Sequence, residues 1–300
     1  MRVTARPQGD LALDPRLNTI RGDLADSRLK GTISSPRYAD GKRAVIKAGL
    51  VPVRHAPLSD SEVVTYYFCG EDIRVFDEGG GYLWCQSSFD HYVGYVEAAA
   101  VDLNPVGETT HVVCTMGSYS YQAPDLRTPV AEFLPRHGCV TIVDQEIVTR
   151  GTSYRRLSND TYVPARCLSE SPPSSSSLAE AAANYLGCPY LWGGKSFLGL
   201  DCAGLVQNCF RDLGQMVLRD SDMQRATIGT DVAVTELVRD DLIFIPGHVM
   251  IYAGDGDIIH ADGRTMSVRR ERLEDFLQLR GLTLSSLTVR RPMGAKIDPV

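Results

Sequence analysis

The chain has 300 residues, of which 43% are hydrophobic and 23% are charged, a composition typical of globular proteins with a sizeable core. This length corresponds to about two or three domains. The formal net charge of −6 argues against nucleic acid or an anionic membrane surface as a partner. No stretch approaches the roughly 20 consecutive apolar residues of a membrane span, so no membrane partner is predicted.

Residues 1–43 form a polar lead-in, in which we predict one helix near residues 15–29. The first thirty residues carry charges throughout and contain no apolar h-region of the kind that secretory signals have. The eight cysteines of the chain include no C-x-x-C pair, which is typical of a reducing compartment. We therefore expect a cytoplasmic protein.

Short segments of strand-like composition follow, separated by turn residues, and they predict a small all-β barrel over residues 44–101. The pattern recurs about seventy residues later, where "SYQAP" (120–124) parallels "VRHAP" (53–57). This repetition predicts a second small barrel over residues 102–168.

The segment "SESPPSSSS" (169–177) has nothing to bury and is interpreted as a linker. Beyond it, "SLAEAAANYLG" (177–187) and "DCAGLVQNCFRDLG" (201–214) have helical spacing, and each ends in glycine. The strand-like stretches "DLIFI", "HVMIY", "DIIHA" and "SLTVRR" come afterwards. Helices followed by strands predict an α+β domain over residues 178–300.

Cys202 lies at the start of the second of these helices, between Asp201 and two small residues, Ala203 and Gly204. Asp201 is at the N-cap position, and the unpaired N–H groups and dipole of a helix start favour a negative charge. Thiol pKa values at such positions fall from about 8.5 to about 3.5–7.5, so Cys202 is a candidate nucleophile. Ala203 and Gly204 are expected to leave room for a substrate carbonyl. The alternative, a buried structural cysteine, is our interpretation of Cys209.

A thiolate requires a base, and the predicted catalytic domain contains two histidines, His248 and His260. A hairpin turn centred on Gly254 would make them cross-strand neighbours on one face. A two-residue turn on Asp255–Gly256 would instead shift the register and separate them. One histidine would then be the base and the other would orient its ring. No HExxH or C-x-x-C motif supplies metal ligands, so no metal or other cofactor is predicted.

With these residues in place, the chain resembles an NlpC/P60 cysteine peptidase that carries N-terminal bacterial SH3 (SH3b) domains. The resemblance rests on "YLGCPYLWGGKSFLGLDCAGL" and "DDLIFIPGHVMIYAGDGDIIHA", including the spacing between the two histidines, and covers residues 44–300. It implies a papain-like α+β catalytic domain preceded by two SH3-like barrels. It also implies hydrolysis of γ-D-glutamyl bonds to a diamino acid in peptidoglycan stem peptides.

The resemblance also implies roles for single residues. Cys202 would be the nucleophile, His248 the base and His260 the third residue that orients it. Tyr190 would support the oxyanion or the substrate, and Trp192 would form a wall of the cleft. For these two aromatic residues the alternative role is packing.

The motif "RDS" is found in the subgroup with paired SH3 domains, where its Asp and Ser, here Asp220 and Ser221, contact the substrate peptide. In that subgroup the residue at Asp201, with an acidic residue and a tyrosine of the first barrel, holds the free N-terminal amine of L-alanine. Glu62 and Tyr92 are the candidates for these two. Helix capping is the alternative role of Asp201 and Ser221.

The sequence departs from the family at Ala203, where a serine is usual, and this puts in doubt how the N-terminal end of the substrate is read. The predicted function is cleavage of free L-Ala-γ-D-Glu-diamino acid muropeptides during cell-wall recycling, through a thioester acyl-enzyme, with the barrels limiting substrate length. The alternatives are an amidase or acyltransferase of the same thiol superfamily and a non-catalytic peptide-binding protein. The preference between diaminopimelate and lysine and the oligomeric state stay open.

Overall fold

The computed structural model describes residues 11–143 and 145–293. The chain divides into two compact units, of which one is Gln8–Pro173 and the other contains Ser174–Val300. The division falls within the Ser/Pro-rich segment, where little apolar surface is available for packing. Each unit has a hydrophobic core of its own.

The lead-in forms a small three-stranded sheet, so the helix predicted near residues 15–29 is wrong. Its strands are β1 (Ile20–Arg21), β2 (Leu24–Asp26) and β3 (Tyr38–Ala39), with a 3-10 turn at Ser27–Leu29. Tertiary packing overrides local propensity in this segment. Leu24 of β2 belongs to a buried cluster with Phe76, Trp84 and Val93.

A seven-stranded antiparallel sheet covers residues 42–102, with the strand order β10-β4-β7-β8-β9-β5-β6. Alternate residues point inward, as the period of two requires, so that Val51 and Val53 of one strand are both buried. The strands are β4 (Lys42–Ile46), β5 (Leu50–Arg54), β6 (Val63–Phe68), β7 (Asp72–Gly79), β8 (Tyr82–Ser87), β9 (Val93–Glu97) and β10 (Val101–Asp102).

Residues 111–169 form two further sheets, with the orders β14-β11-β18 and β13-β12-β17-β16-β15. The pairings β10-β4-β7 and β9-β5-β6 of the first sheet recur here as β18-β11-β14 and β17-β12-β13. A duplicated barrel would give this recurrence, and the second SH3-like barrel stays a prediction. The strands are β11 (His111–Val113), β12 (Gly117–Tyr121), β13 (Val130–Pro135), β14 (Cys139–Val140), β15 (Ile147–Thr149), β16 (Thr152–Arg156), β17 (Tyr162–Pro164) and β18 (Leu168–Ser169).

The second unit is α+β, with a six-stranded antiparallel sheet of order β21-β26-β22-β23-β24-β25 and a separate pair, β19-β20. Its helices are α1 (Leu178–Ala183), α2 (Cys202–Asp212), α3 (Ser221–Thr227) and α4 (Leu273–Arg280). Its strands are β19 (Lys195–Ser196), β20 (Gly199–Leu200), β21 (Thr230–Val232), β22 (Leu242–Ile245), β23 (His248–Gly254), β24 (Asp257–Asp262), β25 (Ser267–Arg272) and β26 (Thr288–Arg291). In the described part of the chain no helix has the length and apolar content that a membrane crossing requires.

The six-stranded sheet carries the two histidines of the predicted catalytic set, His248 on β23 and His260 on β24. Met250 and Ile258 pack with Phe276 of α4 in one buried cluster. Because side chains alternate along a strand, Val249 and Ile251 point to the opposite face, and α1 and α2 contact β23 and β24. The start of α2 is thereby brought to the beginning of β23.

Candidate active site

Cys202 is the first residue of α2, and Asp201 is its N-cap. The Asp201 carboxylate accepts a hydrogen bond from the backbone N–H of Gly204 at 2.7 Å and another from that of Gly193 at 2.9 Å. The first of these is the usual N-cap bond, which satisfies one of the unpaired donors of the helix start. The helix start and the preceding glycine loop are therefore fixed by one side chain, and the thiol lies in the first turn.

A buried arginine completes the surroundings of Asp201. The Arg219 guanidinium donates to Asp201 Oδ1 at 2.9 Å and to Oδ2 at 2.6 Å, and its side chain is 1% exposed. With the bonds from Gly193 and Gly204, each carboxylate oxygen accepts two hydrogen bonds, which uses the four acceptor positions of the group. A ligand ammonium would have to displace one of these donors to bind Asp201. Arg219 is the first residue of the "RDS" motif, and no role was predicted for it from the sequence.

Packing requires a residue without a side chain at position 204, which the sequence did not indicate. A Cβ atom at this position would lie 2.2 Å from the backbone oxygen of Gly194, closer than any real contact. The lack of a side chain at Gly204 therefore allows the backbone of Gly194 to approach closely. The backbone oxygen of Ala203 accepts a hydrogen bond from Gln224 Nε2 at 3.0 Å, which ties α3 to the first turn of α2.

His248 and His260 meet directly. His248 Nε2 and His260 Nδ1 are 2.8 Å apart, and the ring centroids are separated by 5.1 Å. The hairpin between them has a two-residue turn on Asp255 and Gly256, with φ angles of 54° and 82° and with Gly254 paired to Asp257. The turn centred on Gly254 is therefore wrong, and the expectation that the two-residue turn separates the histidines is wrong as well.

A β-bulge explains why the histidines still share a face. The register shifts between Tyr252 and Gly254, so that Tyr252 pairs with Ile258 rather than with Ile259. Continued along the strands, this register puts His248 opposite residue 262, which makes His260 its diagonal neighbour on the same face. Diagonal neighbours are within reach of ring side chains. Without the extra residue, the two-residue turn would put the two rings on opposite faces.

Both histidines contact Phe276 of α4. The Phe276 ring stacks on His248, with 6.0 Å between centroids, and meets His260 edge-on at 5.3 Å. Burial, together with the neighbouring His260, lowers the pKa of His248 to about 3. Burial likewise lowers the pKa of His260 to about 4. Both imidazoles are therefore neutral near pH 7.

The environment of Cys202 favours the neutral thiol. Burial raises the pKa of Cys202 to about 12, and the charge of Asp201 acts in the same direction. The backbone N–H groups of Val249 and Ala203 and the charge of Arg219 oppose this effect but are weaker. The expected lowering of the thiol pKa is therefore wrong for the free protein, because desolvation outweighs the donors of the helix start.

His260 continues the chain of hydrogen bonds to a carboxylate that the sequence analysis missed. His260 Nε2 and Glu271 Oε1 are 2.8 Å apart, and the Glu271 side chain is 9% exposed. In the register of β24 with β25, Glu271 is opposite Ile258, so that His260 is again a diagonal neighbour. A carboxylate in the strand after the second histidine was the available signal, and only the strand register shows that it is in reach.

Two stretches of the chain match known domain families. Residues 187–279 match the NlpC/P60 family, and residues 53–101 match the bacterial dipeptidyl-peptidase Sh3 domain. The chain carries an NlpC/P60 domain. The match covers the helix start with Cys202, the hairpin with the two histidines, and Glu271.

Two curated relatives are similar to a part of the chain. Dipeptidyl-peptidase 6 of Lysinibacillus sphaericus is 34% identical over 84 residues, which are 28% of this chain and 31% of the relative. The gamma-D-glutamyl-L-lysine dipeptidyl-peptidase of Bacillus cereus is 34% identical over 104 residues, 32% of this chain and 31% of the relative. The chain therefore spans about a third of the length of these relatives.

A crystal structure of an NlpC/P60 family protein from Bacillus cereus matches with a TM-score of 0.68 and 19% identity, over 84% of this chain and all of that one. At this identity the likeness concerns the fold. The predicted fold class, a papain-like NlpC/P60 domain with an SH3-type domain before it, is confirmed. One SH3 domain is matched, and the number of two stays a prediction.

Of the other predicted site residues in the NlpC/P60 domain, Tyr190 is near the thiol. Burial raises the pKa of Tyr190 to about 12, with further contributions from Cys202 and Asp201. Trp192 is 62% exposed. Asp220 is the N-cap residue of α3 and Ser221 is its first residue, so Ser221 is not the cap. The substrate contacts of these four residues stay predictions.

Glu62 and Tyr92 belong to the unit Gln8–Pro173 and lie within the matched Sh3 domain. Glu62 is exposed, whereas Tyr92 is 4% exposed. The backbone oxygen of Tyr92 accepts a hydrogen bond from the Tyr67 hydroxyl at 2.7 Å. Their role in amine recognition stays a prediction.

One cluster of metal-ligating type occurs among residues 11–143 and 145–293, namely His260, Asp262 and Glu271. A cation there would compete with positive charge that already neutralises both carboxylates. The arginines within 4 Å of these two carboxylates are Arg264, Arg269 and Arg280. The donor set therefore suits ion pairing better than a divalent metal.

Proposed function

We propose that the NlpC/P60 domain is a cysteine peptidase that hydrolyses the γ-D-glutamyl–L-diamino acid bond of peptidoglycan stem peptides. The observation that carries the proposal is the 2.8 Å contact between His248 Nε2 and His260 Nδ1, in the same compact unit as the thiol of Cys202. The backbone N–H of Val249, next to His248, donates a hydrogen bond to that thiol. A relative named for γ-D-glutamyl-L-lysine supports the substrate class.

The acylation step follows from the hydrogen bonds of His248. Because Nε2 faces His260, Nδ1 is the atom that accepts the thiol proton. As the proton leaves, Sγ of Cys202 attacks the γ-carbonyl carbon of D-glutamate, and a tetrahedral oxyanion forms. When the C–N bond breaks, the amine of the diamino acid takes the proton from His248, and a thioester to Cys202 remains.

The deacylation step uses the same base. His248 Nδ1 takes a proton from water, whose oxygen attacks the thioester carbonyl, and the thiol leaves with that proton. The Tyr190 hydroxyl keeps its proton at neutral pH, because burial raises its pKa, and can therefore donate a hydrogen bond to the oxyanion. The products are L-Ala-D-Glu and the free diamino acid.

For the physiological substrate we propose a free L-Ala-γ-D-Glu-diamino acid muropeptide and a role in cell-wall recycling in the cytoplasm. The net charge of −6 supports a free peptide, because it disfavours lasting contact with anionic wall polymers. Recognition of the peptide's amine by Asp201 would require the exchange of one of the four donors that now bind its carboxylate.

The test is a digest of L-Ala-γ-D-Glu-diaminopimelate and of its lysine counterpart, followed by mass spectrometry. We expect release of the diamino acid by the wild type and a loss of at least about a thousandfold in kcat for Cys202→Ala. Cys209→Ala is the matched control, since Cys209 lies on the same helix, fully buried, and outside the proposed chemistry.

Three results would overturn the proposal. Equal cleavage by the wild type and Cys202→Ala would exclude the thiol as nucleophile. Binding of the peptide without cleavage would favour a non-catalytic peptide-binding protein, and transfer of the acyl group to an added amine in place of hydrolysis would favour an acyltransferase.

A further inference from the structure

We infer that Glu271 is a positioning residue for this reaction: its carboxylate fixes the tautomers of His260 and His248 so that the base atom of His248 is free. The inference deepens the proposed function and rests on it. The contacts that carry it are the two 2.8 Å distances along the series His248, His260 and Glu271.

The direction of each hydrogen bond follows from the carboxylate. An ionised carboxylate only accepts, so His260 Nε2 carries the hydrogen and donates it to Glu271 Oε1. In a neutral imidazole the other nitrogen is then an acceptor, so His260 Nδ1 accepts from Nε2–H of His248. Neutral His248 consequently has its lone pair on Nδ1, which is the state that a base toward Cys202 requires.

The Glu271 carboxylate is held so that its two oxygens have different partners. Oε1 faces His260, whereas Oε2 lies 3.3 Å from a guanidinium nitrogen of Arg269 and 3.8 Å from one of Arg264. Arginine only donates, so an acceptor is required on the Oε2 side as well. The charged groups around His260 are Glu271 and Asp262 with Arg264, Arg269 and Arg280.

Because of this arrangement, we expect the isosteric variant Glu271→Gln to reduce activity more than Glu271→Ala does. In Glu271→Gln the amide oxygen is drawn to Arg269, so the NH₂ group points at His260 Nε2 and donates. His260 would then carry its hydrogen on Nδ1 and donate it to His248 Nε2, which leaves the hydrogen of His248 on Nδ1. Glu271→Ala removes the acceptor without imposing this reversed tautomer.

The experiment measures kcat and KM of the full chain for L-Ala-γ-D-Glu-diaminopimelate with wild type, Glu271→Gln and Glu271→Ala, together with thermal unfolding. We expect Glu271→Gln to lose at least about a hundredfold in kcat, with KM little changed, and to be less active than Glu271→Ala although it unfolds at the higher temperature. A merely structural role predicts the opposite order of activities. Glu274→Gln, with a side chain that is 78% exposed, is the matched control.

A second measurement does not depend on activity. The ¹⁵N shifts of the histidine ring nitrogens should show hydrogen on Nε2 of His260 in the wild type and on Nδ1 in Glu271→Gln. Unchanged shifts, or full activity of Glu271→Gln in an active wild-type background, would overturn the inference and leave the proposed function intact. A wild type that does not cleave the peptide would count against the proposed function, while the shifts would still test Glu271.

Discussion

Cys202 lies in the first turn of α2, where backbone N–H groups favour a thiolate, yet burial raises the pKa of its thiol to about 12. His248 is shifted in the opposite sense, since burial lowers its pKa to about 3. Between these values the neutral thiol and neutral imidazole are the stable pair. A preformed thiolate–imidazolium pair is therefore not expected in the free protein, and the proton moves as the substrate carbonyl is attacked.

These two pKa shifts predict how the rate of Cys202 alkylation by iodoacetamide depends on pH. Only the thiolate reacts, and below a raised pKa its fraction grows about tenfold for each pH unit. We expect the alkylation rate of the Cys202 peptide, followed by mass spectrometry, to rise with this slope from about pH 6 to about pH 9. No plateau should occur in that range.

The control is the same titration in His248→Asn, which removes the base. An unchanged slope there would agree with a thiol that titrates independently of His248. A plateau near neutral pH in the wild type, abolished in the variant, would show a preformed ion pair and contradict the neutral state.

At the scale of secondary-structure elements, the sequence was a sound guide to the strands and helices of the NlpC/P60 domain. The stretch 201–214 predicted α2. Four strands coincide with apolar segments that are clear in the sequence, namely β22, β23, β24 and β26. Their periodicity is local information. The helix predicted near residues 15–29 does not form because tertiary packing overrides local propensity there: Leu24 packs with Phe76, Trp84 and Val93.

The features of the candidate site that depend on local sequence motifs could be predicted, and those that depend on tertiary contacts could not. The N-cap position of Asp201 follows from its place before an apolar helical pattern. The contact between His248 and His260 depends on a β-bulge at Ala253, which no sequence motif indicates. Arg219 and Glu271 reach the site through tertiary contacts across 18 and 11 residues, which periodicity does not register.

The start of α2 also yields a prediction, because Gly204 has no room for a side chain. Gly204→Ala would bring a Cβ within 2.2 Å of a backbone oxygen, and backbone cannot move aside as a flexible side chain can. We expect a loss of about 1–3 kcal/mol in the free energy of unfolding and a lower kcat, since the displaced turn carries Cys202. Denaturant unfolding and the peptide digest measure the two effects.

Gly263→Ala is the matched control for this prediction. Its Cβ would approach the Tyr190 ring at 3.3 Å, a contact that a side chain can relieve by a small shift. The unfolding free energy of this variant should change less than that of Gly204→Ala. Equal, small effects in both variants would mean that the Gly194 backbone yields and that Gly204 is not needed for packing.

At the scale of the whole molecule, the residues predicted to read the substrate's N-terminus are divided along the chain between the two compact units. Cys202 and Asp201 belong to the unit with Ser174–Val300, whereas Glu62 and Tyr92 belong to Gln8–Pro173. Asp201 already accepts four hydrogen bonds, and Arg219 offsets its charge. If a free amine is recognised, the negative charge that binds it has to come chiefly from another carboxylate, and Glu62 is the candidate.

This argument predicts a selective effect of Glu62→Gln on peptides with a free amine. A charged hydrogen bond contributes about 1.5–3 kcal/mol, so kcat/KM for L-Ala-γ-D-Glu-diaminopimelate should fall about tenfold to a hundredfold. The N-acetylated peptide, which has no N-terminal ammonium to bind, should be cleaved slowly by the wild type and no more slowly by the variant. Steady-state kinetics of both peptides provide the measurement, with Glu97→Gln as the control, since Glu97 is an exposed glutamate of the same barrel.

Tyr92→Phe extends the test, because it removes only a hydroxyl and should have a smaller effect in the same direction. Equal cleavage of the free and acetylated peptides by the wild type would contradict amine recognition by any of Asp201, Glu62 and Tyr92, yet the roles of Cys202 and His248 would stand. If Glu62→Gln still cleaves the free-amine peptide faster than the acetylated one, Asp201 would instead be the residue that binds the ammonium. In that case one of its four donors must give way on binding, and Arg219→Lys, which cannot form the bidentate pair, should strengthen rather than weaken binding of the free amine.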